Sequence, residues 1–181
     1  MKRIYLIRHC RATGQESSAE LTLEGLLQAE QLAEFLAERQ IDFIVSSPFE
    51  RAIASIRPLA QKLNVTIHID DRLRERILSS EQLDDWMKDL KKTFEDMELT
   101  FPGGESSRTA MQRGISSIEE LLKRQEENIV VVTHGNLLSL ILKYYDSEYG
   151  FNEWKRLTNP DVFELIFIGN KVNPITSRIW K

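Results

Sequence analysis

The chain has 181 residues, 41% of them hydrophobic and 29% charged, with a formal net charge of -4 at pH 7. That is the composition of one ordinary globular domain, and its charge excludes a general attraction to nucleic acid or an anionic membrane, so a bound anion must rely on local arginines. Cys10 is the only cysteine, which excludes an internal disulfide and fits a reducing compartment.

The first apolar run, Ile4 to Ile7, has strand length and ends on Arg8-His9-Cys10. It is too short for a signal or membrane segment, so a cytoplasmic location is expected. Thr13 to Glu20 is polar and reads as a loop. Thr22 is the expected N-cap of a helix running to about Arg39, with Leu26, Ala29, Leu32, Ala33 and Leu36 as its inward face. Ile41 to Val45 is the next strand. Ser47-Pro48-Phe49-Glu50 has the capping-box pattern, with Ser47 as N-cap and Pro48 at the first helical position. The helix it predicts carries Arg51 in its first turn and should kink or stop near Pro58.

Val65 to Ile69 is a third strand, followed by the charged run Asp70 to Arg76. Residues 80 to 99 are irregularly helical, and Phe101-Pro102-Gly103-Gly104 breaks the pattern before a longer helix, Ser106 to Arg124. The segment 77 to 104 is therefore a candidate cap. Ile129 to Val132 forms a strand leading into Thr133-His134-Gly135-Asn136, then come a helix to Tyr145 and strands at Val162–Ile168 and Ile175–Trp180. Alternating strands and helices predict an α/β fold, a three-layer αβα sandwich with a mostly parallel central sheet and a short helical cap, as one domain over 1–181.

His9 and His134 both follow apolar runs that read as buried strands, and only His68 lies outside such a context. Ligands of open α/β sheets sit beyond the carboxyl ends of the strands. Arg8-His9, Ser46-Ser47 leading to Arg51, Arg74-Glu75 and His134-Gly135-Asn136 all fall at strand ends or helix starts. Taken singly, Arg51 reads as a surface partner of Glu50, Glu75 as one member of an ion-pair cluster with Arg72, Arg74 and Arg76, and Cys10 as a small buried hydrophobe. Together, two histidines, arginines and one carboxylate suit phosphoryl transfer, because guanidinium forks and helix N-terminal N–H groups stabilise the migrating charge and imidazole can carry it covalently. Zinc on His9, Cys10 and His134 lacks a fourth ligand and a short ligand spacing, so no metal is expected.

These residues resemble the histidine phosphatase superfamily, the phosphoglycerate mutase-like proteins named for an Arg-His-Gly motif. The resemblance runs in order through Leu6-Ile7-Arg8-His9, Leu21-Thr22-Leu23-Glu24-Gly25 with Gln28-Ala29, Ser46-Ser47-Pro48 with Arg51-Ala52, Leu73-Arg74-Glu75, Gly104-Glu105-Ser106 and Val132-Thr133-His134-Gly135. It implies His9 as the phosphorylated nucleophile, with Arg8, Arg51 and His134 around the phosphate and Gly135 and Asn136 offering backbone N–H groups. It implies Glu75 as general acid and base, and neither metal nor cofactor. Two departures stand out: Cys10 occupies the motif glycine, where a side chain is expected to alter φ or crowd the pocket, and Ala12 and Gln15 replace the usual Thr and Asn, so Gln15 is a candidate phosphate donor with a longer reach.

The interval from Glu75 to Gly104 is short beside the elaborated segment of the cofactor-dependent mutases, and the acid at Glu75 is generally missing from the small protein-phosphohistidine phosphatases. The expected function is hydrolysis of a small-molecule phosphate monoester. The alternatives are mutase-type transfer, or a weakly active or non-catalytic phospho-ligand binder. Trp86, Phe94, Phe101, Phe151 and Trp154 could face the substrate or pack in the core. Oligomeric state is not legible.

Overall fold

The computed structural model describes residues 1–169 and 173–180. Its elements are β1 (Lys2–Arg8), α1 (Leu23–Ala37), β2 (Phe43–Ser46), α2 (Glu50–Leu63), β3 (Ile67–Ile69), a 3-10 turn at Asp71–Leu73, α3 (Trp86–Glu95), α4 (Ser107–Leu122), β4 (Asn128–Thr133), α5 (Gly135–Tyr145), α6 (Phe151–Lys155), β5 (Asp161–Phe167) and β6 (Ile175–Arg178). The strands form a six-stranded sheet in the order β3-β2-β4-β1-β5-β6. The β3-β2-β4-β1 portion is parallel, and β5 and β6 join through antiparallel pairings.

Alternation along the buried strands feeds two cores. Ile4, Leu6, Val45, Ile129, Val131 and Phe163 pack with α3, α4 and α5, whereas Tyr5, Ile7, Ile44, Val130, Val132 and Val162 pack with α1 and α2. Consecutive side chains of a strand point to opposite faces, so continuous apolar runs are what a sheet covered on both sides requires. The helix after β1 therefore leaves to one face and the helix after the adjacent β4 to the other. That divergence opens a crevice at the carboxyl ends of β1 and β4.

Three local expectations are corrected. Leu26 is exposed, and the inward face of α1 is Gly25, Ala29, Leu32, Ala33 and Leu36. Gly25 holds the inner place because a Cβ there would stand 2.0 Å from the carbonyl oxygen of Arg11. Ser47 is not the N-cap of α2, which is Phe49; its hydroxyl oxygen accepts the Phe49 N–H at 3.3 Å just ahead of the helix and also meets His134. Pro58 neither kinks out nor stops α2, which continues to Leu63. Ser55, Ile56, Leu59 and Ala60 are buried on the sheet side, so tertiary packing holds the last turn despite the missing N–H.

Candidate active site

The last rungs of the sheet bring three site residues to one level. The His9 N–H donates to Thr133 O at 3.1 Å and the Ser47 N–H to Val132 O at 2.9 Å. His9 and His134 meet edge to face with ring centroids 5.1 Å apart. A cavity of about 470 Å³ opens above them, lined by Arg8, Gln15, Glu75, Arg76, Gly135 and Asn136 on its polar side and by Leu78, Trp86, Leu90 and Trp154 on the other. A larger groove, about 590 Å³, lies between α1 and α2, but its lining is mostly apolar and Arg57 is its only cation.

The His9 ring is oriented by its neighbours. Nδ1 lies 2.7 Å from the carbonyl oxygen of Cys10, an acceptor only, so Nδ1 carries the proton and Nε2 presents its lone pair. Arg51 Nε donates to that Nε2 at 3.2 Å. Burial, aided by the charges of Arg51 and Arg8 and opposed by the Cys10 carbonyl, pushes the His9 pKa down to about 3. His9 is therefore neutral at ordinary pH. Its backbone is gripped as well, because Asn159 Nδ2 donates to His9 O at 2.8 Å and the Cys10 N–H donates to Ser55 Oγ at 2.8 Å.

Arg51 is fully buried rather than paired with Glu50 at the surface. Its Nη1 donates to the carbonyls of Gln15 and Glu16 at 3.0 and 2.7 Å, which fixes the loop and the guanidinium together. His134 is buried, its Nε2 is 2.8 Å from Ser47 Oγ, and burial holds its pKa well below the usual histidine value. Arg8 Nη1 donates to Leu157 O at 3.2 Å. The approach at Gly135 is tight, since a Cβ there would lie 3.0 Å from Arg8 Nε and the arginine side chain would have to give way.

Glu75 belongs to no surface cluster: Arg72 pairs with Asp70 and Glu120, and Arg74 faces Asp71. Its carboxylate accepts the N–H groups of Asn136 at 3.0 Å and Leu137 at 2.9 Å, at the positive end of α5. Thr133 Oγ1 donates to Leu73 O at 2.8 Å, while Arg113 donates to the carbonyls of Arg72, Arg74 and Glu75. These clamps carry the stretch after β3 across the crevice. Arg113 lies on α4, remote in sequence, and no local signal marked it.

All eight predicted site residues thus converge. His9, Arg51 and His134 form a buried floor, and Arg8, Gln15, Glu75, Gly135 and Asn136 line the cavity. Arg8 Nε, His134 Nδ1 and both amide atoms of Asn136 are buried without a hydrogen-bond partner among the described residues, which is the deficit an oxyanion with several oxygens and a hydroxyl or amide-accepting edge can fill. Cys10 does not crowd the cavity. Its side chain is buried in the core under α1 and α2, and Gln40 and Asn64 are the only non-glycine residues with positive φ among those described. No group of three or more His, Cys, Asp or Glu among the described residues could hold a metal ion, and none of the described helices is long and apolar enough to cross a membrane.

Of the aromatic candidates, Trp86 and Trp154 line the cavity, with ring centroids 6.3 Å apart. Phe94 is core, and Phe151 stacks on Trp154 from behind. The short helix α6 that brings Trp154 there has no signature in the sequence, since five residues carry too little periodicity to read.

The profile of the histidine phosphatase superfamily, branch 1, matches residues 4–172. The chain belongs to that superfamily. It is 26% identical to a putative phosphoserine phosphatase 2 of Hydrogenobacter thermophilus, over 94% of this chain and 92% of that one. It is 29% identical to a probable phosphoglycerate mutase of an Enterobacter species, over 78% and 74% of the two chains. Among solved structures, a mycobacterial glucosyl-3-phosphoglycerate phosphatase in complex with inorganic phosphate is 25% identical, covers 99% of this chain and 96% of its own, and superposes with a TM-score of 0.77.

Proposed function

We propose that the chain hydrolyses small phosphate monoesters through a phosphohistidine on His9. The chain is a histidine phosphatase, a phosphoric monoester hydrolase; the finer reading concerns the intermediate, the roles and the substrate. The observation that carries it is the 2.7 Å contact between His9 Nδ1 and the Cys10 carbonyl oxygen, which assigns the proton to Nδ1 and leaves Nε2 as a neutral nucleophile between two arginines.

In this reading the phosphoryl oxygens take the donors of Arg8, Arg51, His134 and the Asn136 amide, with Gln15 reaching in from the loop. Arg51 Nε passes from the imidazole to an oxygen, freeing the Nε2 lone pair. Nε2 then attacks phosphorus as the bond to the ester oxygen breaks, and the Glu75 carboxyl delivers the proton that the leaving alkoxide needs. Water next attacks phosphorus, Glu75 takes its proton, and the N–P bond breaks to release inorganic phosphate. The guanidinium groups act most where charge spreads over the transferring group. Residues 77–104 with α6 serve as the cap, and their aromatic wall receives the leaving group.

The test is incubation with a panel of phosphomonoesters in the absence of any phosphoglycerate. Release of inorganic phosphate matching the alcohol formed is expected. A chain that moves phosphate between hydroxyls without releasing it is a mutase, and a chain that binds phosphate but turns over nothing is a binder; either result contradicts the proposal. Cys10 lends no support to the binder, because its thiol lies behind the loop rather than in the cavity.

A further inference from the structure

The stretch from Arg156 to Asp161 carries the acceptors that hold the Arg8 guanidinium. Arg8 Nη1 donates to Leu157 O at 3.2 Å and to Thr158 O at 3.4 Å, and the next residue, Asn159, grips the His9 carbonyl through Nδ2. The set of the floor therefore depends on what fixes these residues. No regular element does so, since α6 ends at Lys155 and β5 begins at Asp161.

A charge pair at the start of β5 takes that task. Asp161 is fully buried, and its two oxygens accept the Thr158 N–H at 2.9 Å, the Val162 N–H at 3.0 Å, and Arg178 Nε and Nη2 at 2.9 and 2.6 Å. Arg178 Nη2 also donates to Arg156 O at 3.1 Å, so one guanidinium ties both ends of the stretch. Thr158 Oγ1 donates to Pro160 O at 2.7 Å and closes the bend from within. Arg178 lies on the edge strand β6, opposite Phe163, while Asp161 stands opposite Arg8 in the β1–β5 ladder. Stability alone is a weak reason for this arrangement, because a buried ion pair is often no better for it than apolar side chains of the same volume. What a bidentate fork adds is direction. The pair also acts on Arg8 through charge: burial lowers the Arg8 pKa, and the carboxylates of Glu75 and Asp161 oppose that.

We infer that Arg178 is a positioning residue of this site: acting through Asp161 and the carbonyls of Leu157 and Thr158, it holds the Arg8 guanidinium in the orientation that the transferring phosphoryl group requires. This rests on the phosphatase reading above. Arg178 lies outside the lining of the cavity, so it meets no part of the ester itself. Its loss leaves Asp161 with two backbone donors and a buried charge without a cation on it, and the bend that carries the acceptors of Arg8 loses its anchor. Misplacing a group that orients a substrate by about an ångström can cost on the order of 10²-fold in rate. Arg8 serves the phosphoryl group common to all esters, and the effect is therefore blind to the leaving group.

The test is Arg178→Ala, read by kinetics on several phosphomonoesters and by binding of orthovanadate, a mimic of the transferring group, at a temperature well below the unfolding of each variant. With Arg178→Ala, kcat/KM is expected to fall about tenfold to a hundredfold by the same factor on every ester, and vanadate affinity to fall at least about tenfold. Arg178→Lys, which keeps the charge but not the fork, should restore part of both. Arg3→Ala removes the Arg3–Glu164 pair toward the other end of the same two strands and should leave both readouts unchanged. A folded Arg178→Ala protein with unaltered kcat/KM and vanadate affinity overturns the inference, because that is what a purely structural arginine does. Equal losses in Arg3→Ala overturn it too, since loosening the sheet anywhere would then suffice, as does a loss that varies with the leaving group. If Arg178→Ala does not fold, Arg178→Lys decides: both readouts must fall at least about threefold, and unchanged values overturn the inference. Absence of phosphate release from every ester refutes the phosphatase reading instead, and vanadate affinity then still decides the role of Arg178.

Discussion

The floor of the cavity and its outer wall differ in how the chain holds them. His9, Arg51 and His134 are 8%, 1% and 0% exposed, each oriented by a neighbouring backbone carbonyl or hydroxyl. Trp86, on the opposite side, is 51% exposed and touches Trp154 edge to face across two short helices. His9 and His134 follow neighbouring parallel strands, where one residue of shift would break the ladder, and Arg51 sits in the first turn of α2, whereas the wall comes from an irregular segment bound by side-chain contacts. Under the proposed function that difference separates chemistry from selectivity: a fixed floor would set the geometry of transfer, and a less constrained wall would tell leaving groups apart.

That division can be broken or sharpened by substitution. Glu75→Gln removes the proposed proton donor at the boundary of the two regions and is expected to lower kcat by about 10²- to 10⁴-fold for alkyl phosphates. For p-nitrophenyl phosphate, whose leaving group needs no proton, the loss should be much smaller; equal losses across a leaving-group series would remove Glu75 from the proton transfer. Gly135→Ala tests the packing of the floor. The new Cβ would stand 3.0 Å from Nε and 3.1 Å from Cζ of Arg8, so Arg8 must shift, and kcat/KM is expected to fall about tenfold to a hundredfold with every ester. Unchanged kinetics would show that Arg8 has no fixed place in the site.

The floor should also leave a mark on stability. Burial holds the His9 pKa down to about 3 in the folded chain, against about 6.5 for an unfolded histidine. Below about pH 6.5 the unfolded chain therefore binds a proton that the folded chain refuses, so the contribution is intact above that pH and lost as pH falls toward 3. The slope is about 1.4 kcal/mol per pH unit. Denaturant midpoints from pH 7 to pH 5 should decline more steeply for the unaltered protein than for His9→Asn; parallel curves would mean that His9 is solvated. The smallest effect belongs to the wall. Trp86→Ala is expected to raise KM about twofold to fivefold for esters with bulky leaving groups while kcat holds, and a loss in kcat alone would place Trp86 with the floor.

What could be read in the sequence follows the same line. Ile4 to Ile7 and Ile129 to Val132 are buried on both faces, so their apolar runs marked the central strands, and the histidines after them marked the floor. Thr22 was legible as a cap because its hydroxyl accepts the Gly25 N–H at 3.0 Å, a local bond. Ser47 carries the same local pattern, but its hydroxyl serves the Phe49 N–H and a distant ring while the helix starts two residues later than the pattern suggests. Leu26 differs for a related reason: the close backbone approach of Arg11 puts Gly25 on the inward face in its place, while Ala29, Leu32, Ala33 and Leu36 face inward as their spacing requires. Arg113, Asn159 and Arg76 act through contacts 29 to 150 residues away in the chain, and Arg76 looked like one more charge in a surface run. Local chemistry was readable, and partners brought in by the fold were not.

The central claim is tested most directly by rapid quenching of the protein during turnover of a ³²P-labelled phosphomonoester, followed by peptide mapping. The account predicts a base-stable, acid-labile phosphoryl group on His9, absent from His9→Asn, which should lose turnover by about 10⁴-fold or more. Steady release of phosphate with no label on the protein, or with the label on His134, would contradict it.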